Sequence, residues 1–143
     1  MNRRILFAAA ALAGLTLGAG AAHALTPRVI SVPTAQAPRS AQRPEGTKIS
    51  CNRPGGAQAD ACPVIQLGDY TVWAFSYRNN SYGFELAAYR GDQLVGHRGV
   101  GGSRYLEGAQ VNRGAQTVDF IGQGGRKATV SFADLERLIG SRQ

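Results

Sequence analysis

Short apolar runs separated by turn residues fill the chain from residue 64 to residue 132. The runs are rich in β-branched and aromatic residues, and their short length suits strands, in which successive side chains point to opposite sides. They cover residues 64–67, 70–78, 83–90, 94–98, 104–111, 117–121 and 128–132. Strands at this spacing with glycine-rich turns predict a mostly β fold, a small antiparallel β-barrel or sandwich of about six or seven strands.

The last apolar positions follow a helical period. Three aliphatic side chains fall on one helical face, namely Leu135, Leu138 and Ile139. Ser131 or Asp134 can cap the start of this segment, and Gly140 can end it. We therefore expect a short C-terminal helix that packs on an open end of the sheet.

Seven of the eleven aromatic residues of the chain lie within residues 70–90. A hairpin turning at residues 79–81 would let Trp73 and Phe75 pair with the face of the next strand that carries Phe84 and Leu86. Large aromatic side chains at such alternating positions predict a hydrophobic core. The expected core aromatics are Trp73, Phe75, Phe84, Phe120 and Phe132. Because a phenol tolerates the surface, the expected contact residues are Tyr77, Tyr82, Tyr89 and Tyr105.

The N-terminus has the features of a secretory signal peptide. Arg3 and Arg4 precede an apolar stretch over residues 5–17, and small residues at Ala22 and Ala24 suit cleavage after Ala24. A membrane anchor is the less favoured alternative, because the stretch is short and no charge cluster follows it. We thus expect residues 1–24 to be a signal peptide, and the protein to be periplasmic or secreted without stable membrane insertion.

A proline-rich segment follows, and four of the six prolines of the chain lie in it. Because proline lacks an amide donor, residues 25–48 are predicted to form a flexible arm, within which residues 29–32 could pair as an edge strand. Residues 49–143 would then form the β domain. The formal net charge of the whole chain is +7. From Cys51 onward ten basic residues face eight acidic ones, spaced along the chain rather than clustered, so no nucleic-acid partner is expected.

Cys51 and Cys62 are the only two cysteines. In an exported chain such a pair predicts a disulfide, and Pro54 with the glycines that follow lets the intervening loop turn back. A redox or metal pair is the weaker alternative, because the spacing is not CxxC and no histidine is near in sequence. No cofactor and no metal site are expected.

Candidate catalytic chemistry is sparse. His97 is the only histidine after the predicted signal peptide, and no motif supplies a partner for it. The carboxylates of Asp69, Asp92, Glu107 and Asp119 are scattered over turns and strands. A small hydrolase that uses His97 or a carboxylate pair stays an alternative, and a non-enzymatic protein is expected.

The stretch "GGSRYLEGAQVNRGAQTVDFIGQGGRKATVSF", residues 101–132, resembles the C-terminal part of the secreted C-type lysozyme inhibitors. Gly102, Arg104 and Tyr105 match the first loop of that family, whose loop serine corresponds to Gly101, with Ser103 two residues on. Phe120, Gly122 and residues 128–130 match the strands and turn that follow. The resemblance implies a small periplasmic β-barrel with one loop that plugs the acidic cleft of a lysozyme.

These patterns favour an exported non-enzymatic binding module that acts at the cell envelope through its end loops, on a protein or glycan partner. Arginine offers forked donors for acidic groups, and tyrosine rings can stack on sugars. The candidate binding residues are Tyr82, Arg98, Ser103, Arg104, Tyr105, Arg126 and Lys127. The alternatives are a lysozyme inhibitor-like protein, an envelope structural component tethered by the arm, and the small hydrolase.

Overall fold

The computed structural model of the protein describes residues 25–39, 43, 48–53, 56–76 and 83–140. In chain order the described strands are β1 (Arg28–Pro33), β2 (Lys48–Ile49), β3 (Ala61–Leu67), β4 (Tyr70–Ser76), β5 (Phe84–Arg90), β6 (Gln93–Gly101), β7 (Leu106–Asn112), β8 (Thr117–Gly122) and β9 (Lys127–Ser131). Helix α1 (Phe132–Gly140) follows β9 directly. The predicted mostly β fold with a short C-terminal helix is confirmed.

The described strands form two antiparallel sheets rather than one closed barrel. The first sheet has the order β1-β3-β4-β5-β6, with β2 paired to the second half of β4, and the second sheet is the meander β7-β8-β9. The two sheets share one hydrophobic core, in which the Phe84 ring centroid lies 6.5 Å from that of Phe120. The seven predicted strands correspond to β3 to β9, with the last one ending at Ser131 because α1 begins at Phe132.

The register of the β4–β5 hairpin differs from the expected one by a single residue. Phe75 lies opposite Glu85, and Ser76 lies opposite Phe84. Trp73 and Phe75 therefore share a face with Glu85 and not with Phe84, so the expected pairing was wrong. A shift of one residue moves every side chain of a strand to the other side of the sheet, and the turn sets this shift. The predicted turn at residues 79–81 lies outside the described residues.

Both faces of β4 and β5 are buried. We call the face that packs on the second sheet the inner face; it carries Val72, Ala74, Phe84, Leu86 and Ala88. The opposite face, here the strap face, carries Trp73, Phe75, Glu85, Ala87 and Tyr89. Of the predicted core aromatics, four are buried and Phe132 is half-buried. Core aromatics thus lie on two sides of one sheet.

Residues 34–39, here called the strap, run from one end of the first sheet to the other. Pro33 pairs with Ala61 at one end, whereas the Arg39 guanidinium lies 3.9 Å from Asp92 in the turn at the other end. Pro38 is buried, and Ala37 packs against the core. Burial raises the pKa of the hydroxyl of Tyr89, which lies on the strap face, and the positive charge of Arg43 lowers it in part. We infer that the strap crosses this face and covers its aromatic side chains.

The proline-rich segment therefore begins with regular structure. β1 contains the possible edge strand at residues 29–32, and it pairs with β3 over six residues. Pro33 ends this edge strand, where its missing N–H interrupts no ladder. Residues 1–24, 40–42 and 44–47 lie outside the described part of the chain. Among the described residues, no helix has the length and apolar character needed to span a bilayer.

The predicted disulfide between Cys51 and Cys62 is present. Cys62 belongs to β3 of the first sheet, while Cys51 forms a bridge with Leu106 of the second sheet. The bond therefore links the two sheets as well as closing a local loop. A disulfide is compatible with a periplasmic or secreted protein.

Candidate functional site

The loop between β6 and β7 packs against the turn between β8 and β9. A Cβ atom placed on Gly122 would lie 2.1 Å from the Ser103 Cβ atom and 2.9 Å from the Tyr105 carbonyl oxygen. The same carbonyl accepts a hydrogen bond from the Gln123 N–H at 3.1 Å, and the Gly122 N–H donates to the Arg126 carbonyl at 2.7 Å. The two segments thus form one tightly packed end of the molecule.

The other side of this loop is attached to the first sheet and to the disulfide segment. The Ser76 hydroxyl donates to the Arg104 carbonyl oxygen at 2.7 Å. The Leu106 N–H donates to the Ser50 carbonyl at 2.8 Å, and the Asn52 N–H donates to the Leu106 carbonyl at 3.1 Å. Bonds to three separate segments thus anchor the backbone of residues 104–106 at the end of the loop.

Three predicted binding residues reach the surface at this end, and we call them the loop surface: Arg104, Tyr105 and Arg126. The Arg104 guanidinium carbon lies 5.4 Å from the centroid of the Tyr105 ring, a distance suited to a cation–π contact. No carboxylate of a described residue lies within 4 Å of the Arg104 or Arg126 guanidinium. The loop surface therefore offers two guanidiniums whose donors are not engaged by those carboxylates.

Ser103 and Lys127, two other predicted binding residues, have different surroundings. Ser103 is buried and its side chain faces Gly122, so it is part of the packed frame of the loop. Lys127 lies on the exposed face of the second sheet, where its ammonium group is 3.8 Å from the Asp119 carboxylate. Asp119 also accepts a hydrogen bond of 2.6 Å from the Thr129 hydroxyl. Tyr82 lies outside the described residues, as does Tyr77.

Arg98 lies on β6 and contacts helix α1 rather than the loop surface. Its guanidinium is 3.0 Å from the Asp134 carboxylate, which also contacts Arg137. The Ser131 hydroxyl donates to the Asp134 carboxylate at 2.9 Å, and it accepts from the Asp134 N–H at 3.1 Å as a helix cap. The hydrogen bond from Ser131, followed by that from Arg98, holds the pKa of the Asp134 carboxyl below its ordinary value.

His97 has a partner that the sequence did not specify. Its Nδ1 atom lies 2.7 Å from the Glu85 carboxylate, and Glu85 is buried on the strap face. Among the described side chains, no hydroxyl or thiol is hydrogen-bonded to His97. The described residues also contain no group of three or more His, Cys, Asp or Glu side chains placed to hold a metal.

Tyr89 was expected to be a contact residue, and that expectation was wrong. Its side chain is fully buried on the strap face, with its ring centroid 6.4 Å from that of Phe75. Burial raises the pKa of Tyr89 to about 12, because the phenolate would lose its hydration, and the charge of Arg43 opposes this effect. Nothing in the local sequence of β5 indicates that a distant proline-rich segment covers this position.

Comparisons of the chain with family models, with curated proteins and with solved structures found no match.

Proposed function

We propose that the protein is an exported, non-enzymatic binding module that acts at the cell envelope through its loop surface. The observation that carries this proposal is the Arg104 guanidinium held over the Tyr105 ring on a loop bonded to three other segments. A fixed loop loses little conformational entropy on binding, which favours affinity. The Cys51–Cys62 disulfide supports export.

The chemistry of the loop surface favours an acidic partner. The guanidiniums of Arg104 and Arg126 are exposed and have no described carboxylate beside them, so their forked donors suit carboxylate, phosphate or sulfate groups. The exposed part of the Tyr105 ring suits stacking on a sugar or contact with a protein side chain. An acidic glycan or an acidic protein cleft of the envelope fits both features.

A lysozyme inhibitor-like protein is a narrower form of the same proposal. The loop surface is basic, and the resemblance of residues 101–132 to C-type lysozyme inhibitors implies that the same loop would contact the enzyme. In this form the packed loop would enter an acidic substrate cleft and block it. An inhibitor should abolish lysozyme activity at a ratio of one inhibitor molecule per enzyme molecule. A protein that binds only a glycan should not.

The test uses protein purified from the exported fraction of cells that express the full chain. Its binding to isolated peptidoglycan is measured by sedimentation, and its effect on a C-type lysozyme is measured by a lysis assay. Arg104→Ala and Tyr105→Ala are each expected to weaken the interaction by at least about tenfold, as truncation of central interface residues commonly does. Arg126→Ala is expected to weaken it in the same direction.

Arg113→Ala is the matched control, because Arg113 is an exposed arginine in the β7–β8 turn at the opposite end of the second sheet. The control is expected to bind as the unchanged protein does. The proposal is wrong if neither probe binds, or if the Arg104 and Arg113 variants behave alike. Turnover of peptidoglycan that disappears in His97→Ala would favour the hydrolase instead.

A further inference from the structure

Two guanidiniums are fixed side by side where helix α1 meets edge strand β6. Arg98 Nη1 and Arg137 Nη2 approach the same atom, Asp134 Oδ1, at 3.0 Å and 2.5 Å. The other carboxylate oxygen accepts the Ser131 hydroxyl at 2.9 Å. One carboxylate thus orients two arginines, and the three charges leave one positive charge in excess.

These arginines border an open cleft of about 340 Å³, which lies in the size range of small-ligand sites. Its lining residues are His97, Arg98, Asp134, Arg137 and Leu138. The His97 Nδ1 atom is engaged by Glu85, so Nε2 is the ring nitrogen that a ligand could reach. Leu138 contributes an apolar wall beside the charged groups.

We propose that this cleft is a second binding site, separate from the loop surface, which takes the terminal carboxylate of a short peptide. A guanidinium carries five N–H donors in a planar fork, and each arginine has one short contact with Asp134, so donors are left over for a ligand. The fork matches the two oxygens of a carboxylate, and Leu138 suits the methyl group of a small terminal residue.

Charge supports a ligand of this sign. Asp134 is already bonded by Ser131, Arg98 and Arg137, so its negative charge is offset. A bound carboxylate would contact the donors of the two arginines. Of the described residues that line the cleft, only Asp134 is acidic, and Glu85 behind His97 is paired with that ring. A cationic ligand would have to compete with two arginines for the same carboxylate.

The protein exported from cells that express the full chain is titrated with N-acetyl-alanyl-alanine, with the C-terminal amide of the same dipeptide and with inorganic phosphate. Backbone and His97 ring signals are followed by NMR. The acid is expected to shift the signals of β6 and α1, and the amide to bind at least about tenfold more weakly, because it loses charge-assisted hydrogen bonds. Arg137→Ala is expected to weaken binding of the acid to a similar extent.

Arg137→Lys keeps the charge without the fork, and it is expected to fall between the wild type and Arg137→Ala. Arg126→Ala, on the loop surface, should bind the acid unchanged, so failure here is distinguishable from failure of the envelope-binding proposal. Equal binding of acid and amide, tighter binding of phosphate than of the acid, or no shifts at millimolar acid would each overturn the assignment.

Discussion

The side chain of Ser103 fills the space that a Cβ atom would need at Gly122. The two Cβ positions would be only 2.1 Å apart, so the β6–β7 loop can dock on the β8–β9 turn only if residue 122 has no side chain. The backbone of Gly122 is extended, with φ −101°, so the requirement comes from crowding rather than from backbone conformation.

Gly122→Ala is therefore expected to lower the free energy of unfolding by about 1–3 kcal/mol, because the inserted methyl group must displace the loop. Urea denaturation followed by circular dichroism measures the change. Gly108→Ala is the control, since no atom lies within 4 Å of a Cβ at that position of β7. Equal stabilities of the two variants would contradict the crowding argument.

Reduction of the disulfide should also destabilise the protein. The bond closes a loop over a sequence separation of 11 residues, for which restriction of the unfolded chain contributes roughly 2–3 kcal/mol. Urea denaturation with and without dithiothreitol measures this. The Cys51→Ala/Cys62→Ala variant should have the stability of the reduced wild type, both with and without dithiothreitol. An equal free energy of unfolding of the wild type with and without dithiothreitol would contradict this expectation.

Tyr89→Phe is expected to stabilise the protein by about 1 kcal/mol, because it removes a buried hydroxyl without a hydrogen-bond partner in the described structure. The pKa of this phenol rises from 10.0 to about 12 on folding. The folded state therefore holds the proton more tightly, and wild-type stability should fall as the pH rises from 10 towards 12. Urea titrations at pH 7 and at alkaline pH, compared between wild type and variant, should show that the variant lacks this loss.

Tyr105→Phe is the matched control, since that ring is partly exposed on the loop surface. Its stability at pH 7 should stay within about 0.5 kcal/mol of the wild type, as is usual for surface substitutions. A Tyr89→Phe variant less stable than the wild type would mean that the hydroxyl makes a favourable contact.

If the strap covers Trp73, displacing the strap should change the tryptophan fluorescence. Trp73 is the only tryptophan of the chain and lies 3% exposed on the strap face. Pro38→Asp places a charge at a buried strap position, so it should lift the strap and shift the tryptophan emission to longer wavelength, with stronger acrylamide quenching. Ala35→Asp, at an exposed strap position, should leave the emission unchanged. The strap assignment fails if both variants keep the wild-type spectrum.

Asp134 should contribute to the loss of stability in acid. Its carboxyl has a folded-state pKa below the ordinary 3.8, so its contribution is complete above that pH and disappears as the pH falls through the folded value. Asp134→Asn should therefore be less stable than the wild type at pH 6, and the difference should shrink below pH 3.8. Asp69→Asn, in an exposed turn, should track the wild type at both pH values. Urea titrations across this range test the convergence.

Local patterns of the sequence were sufficient to predict strands β3 to β9 and helix α1. Turn residues mark the boundaries of β3 to β9 closely, and the spacing of Leu135 and Leu138 identifies α1. The β7-β8-β9 meander also explains why the start of β7 and the β8–β9 turn lie at the same end, since neighbouring antiparallel strands run in opposite directions.

Contacts between distant parts of the chain were not predictable in this way. The side of the sheet on which Trp73 lies depends on the register of the hairpin. A change of one residue in the turn would move the side chain to the other side. Tyr89 is buried on the face that we infer the strap to cross, and the strap lies about fifty positions earlier in the chain, where proline content alone indicates a flexible arm. Arg98 was predicted to bind a partner together with the loop arginines as a forked donor, whereas its guanidinium contacts Asp134 on α1.

The crossing of the strap makes the molecule three layers deep around β4 and β5, with the proline-rich segment on one side and the second sheet with its helix on the other. These central strands consequently have no water-facing side on which substitutions could accumulate without effect. Substitutions, and any dye or tag attached in the laboratory, should therefore disturb the fold more at β4 and β5 than at the exposed positions of β1, β6, α1 and the outer face of β7 to β9.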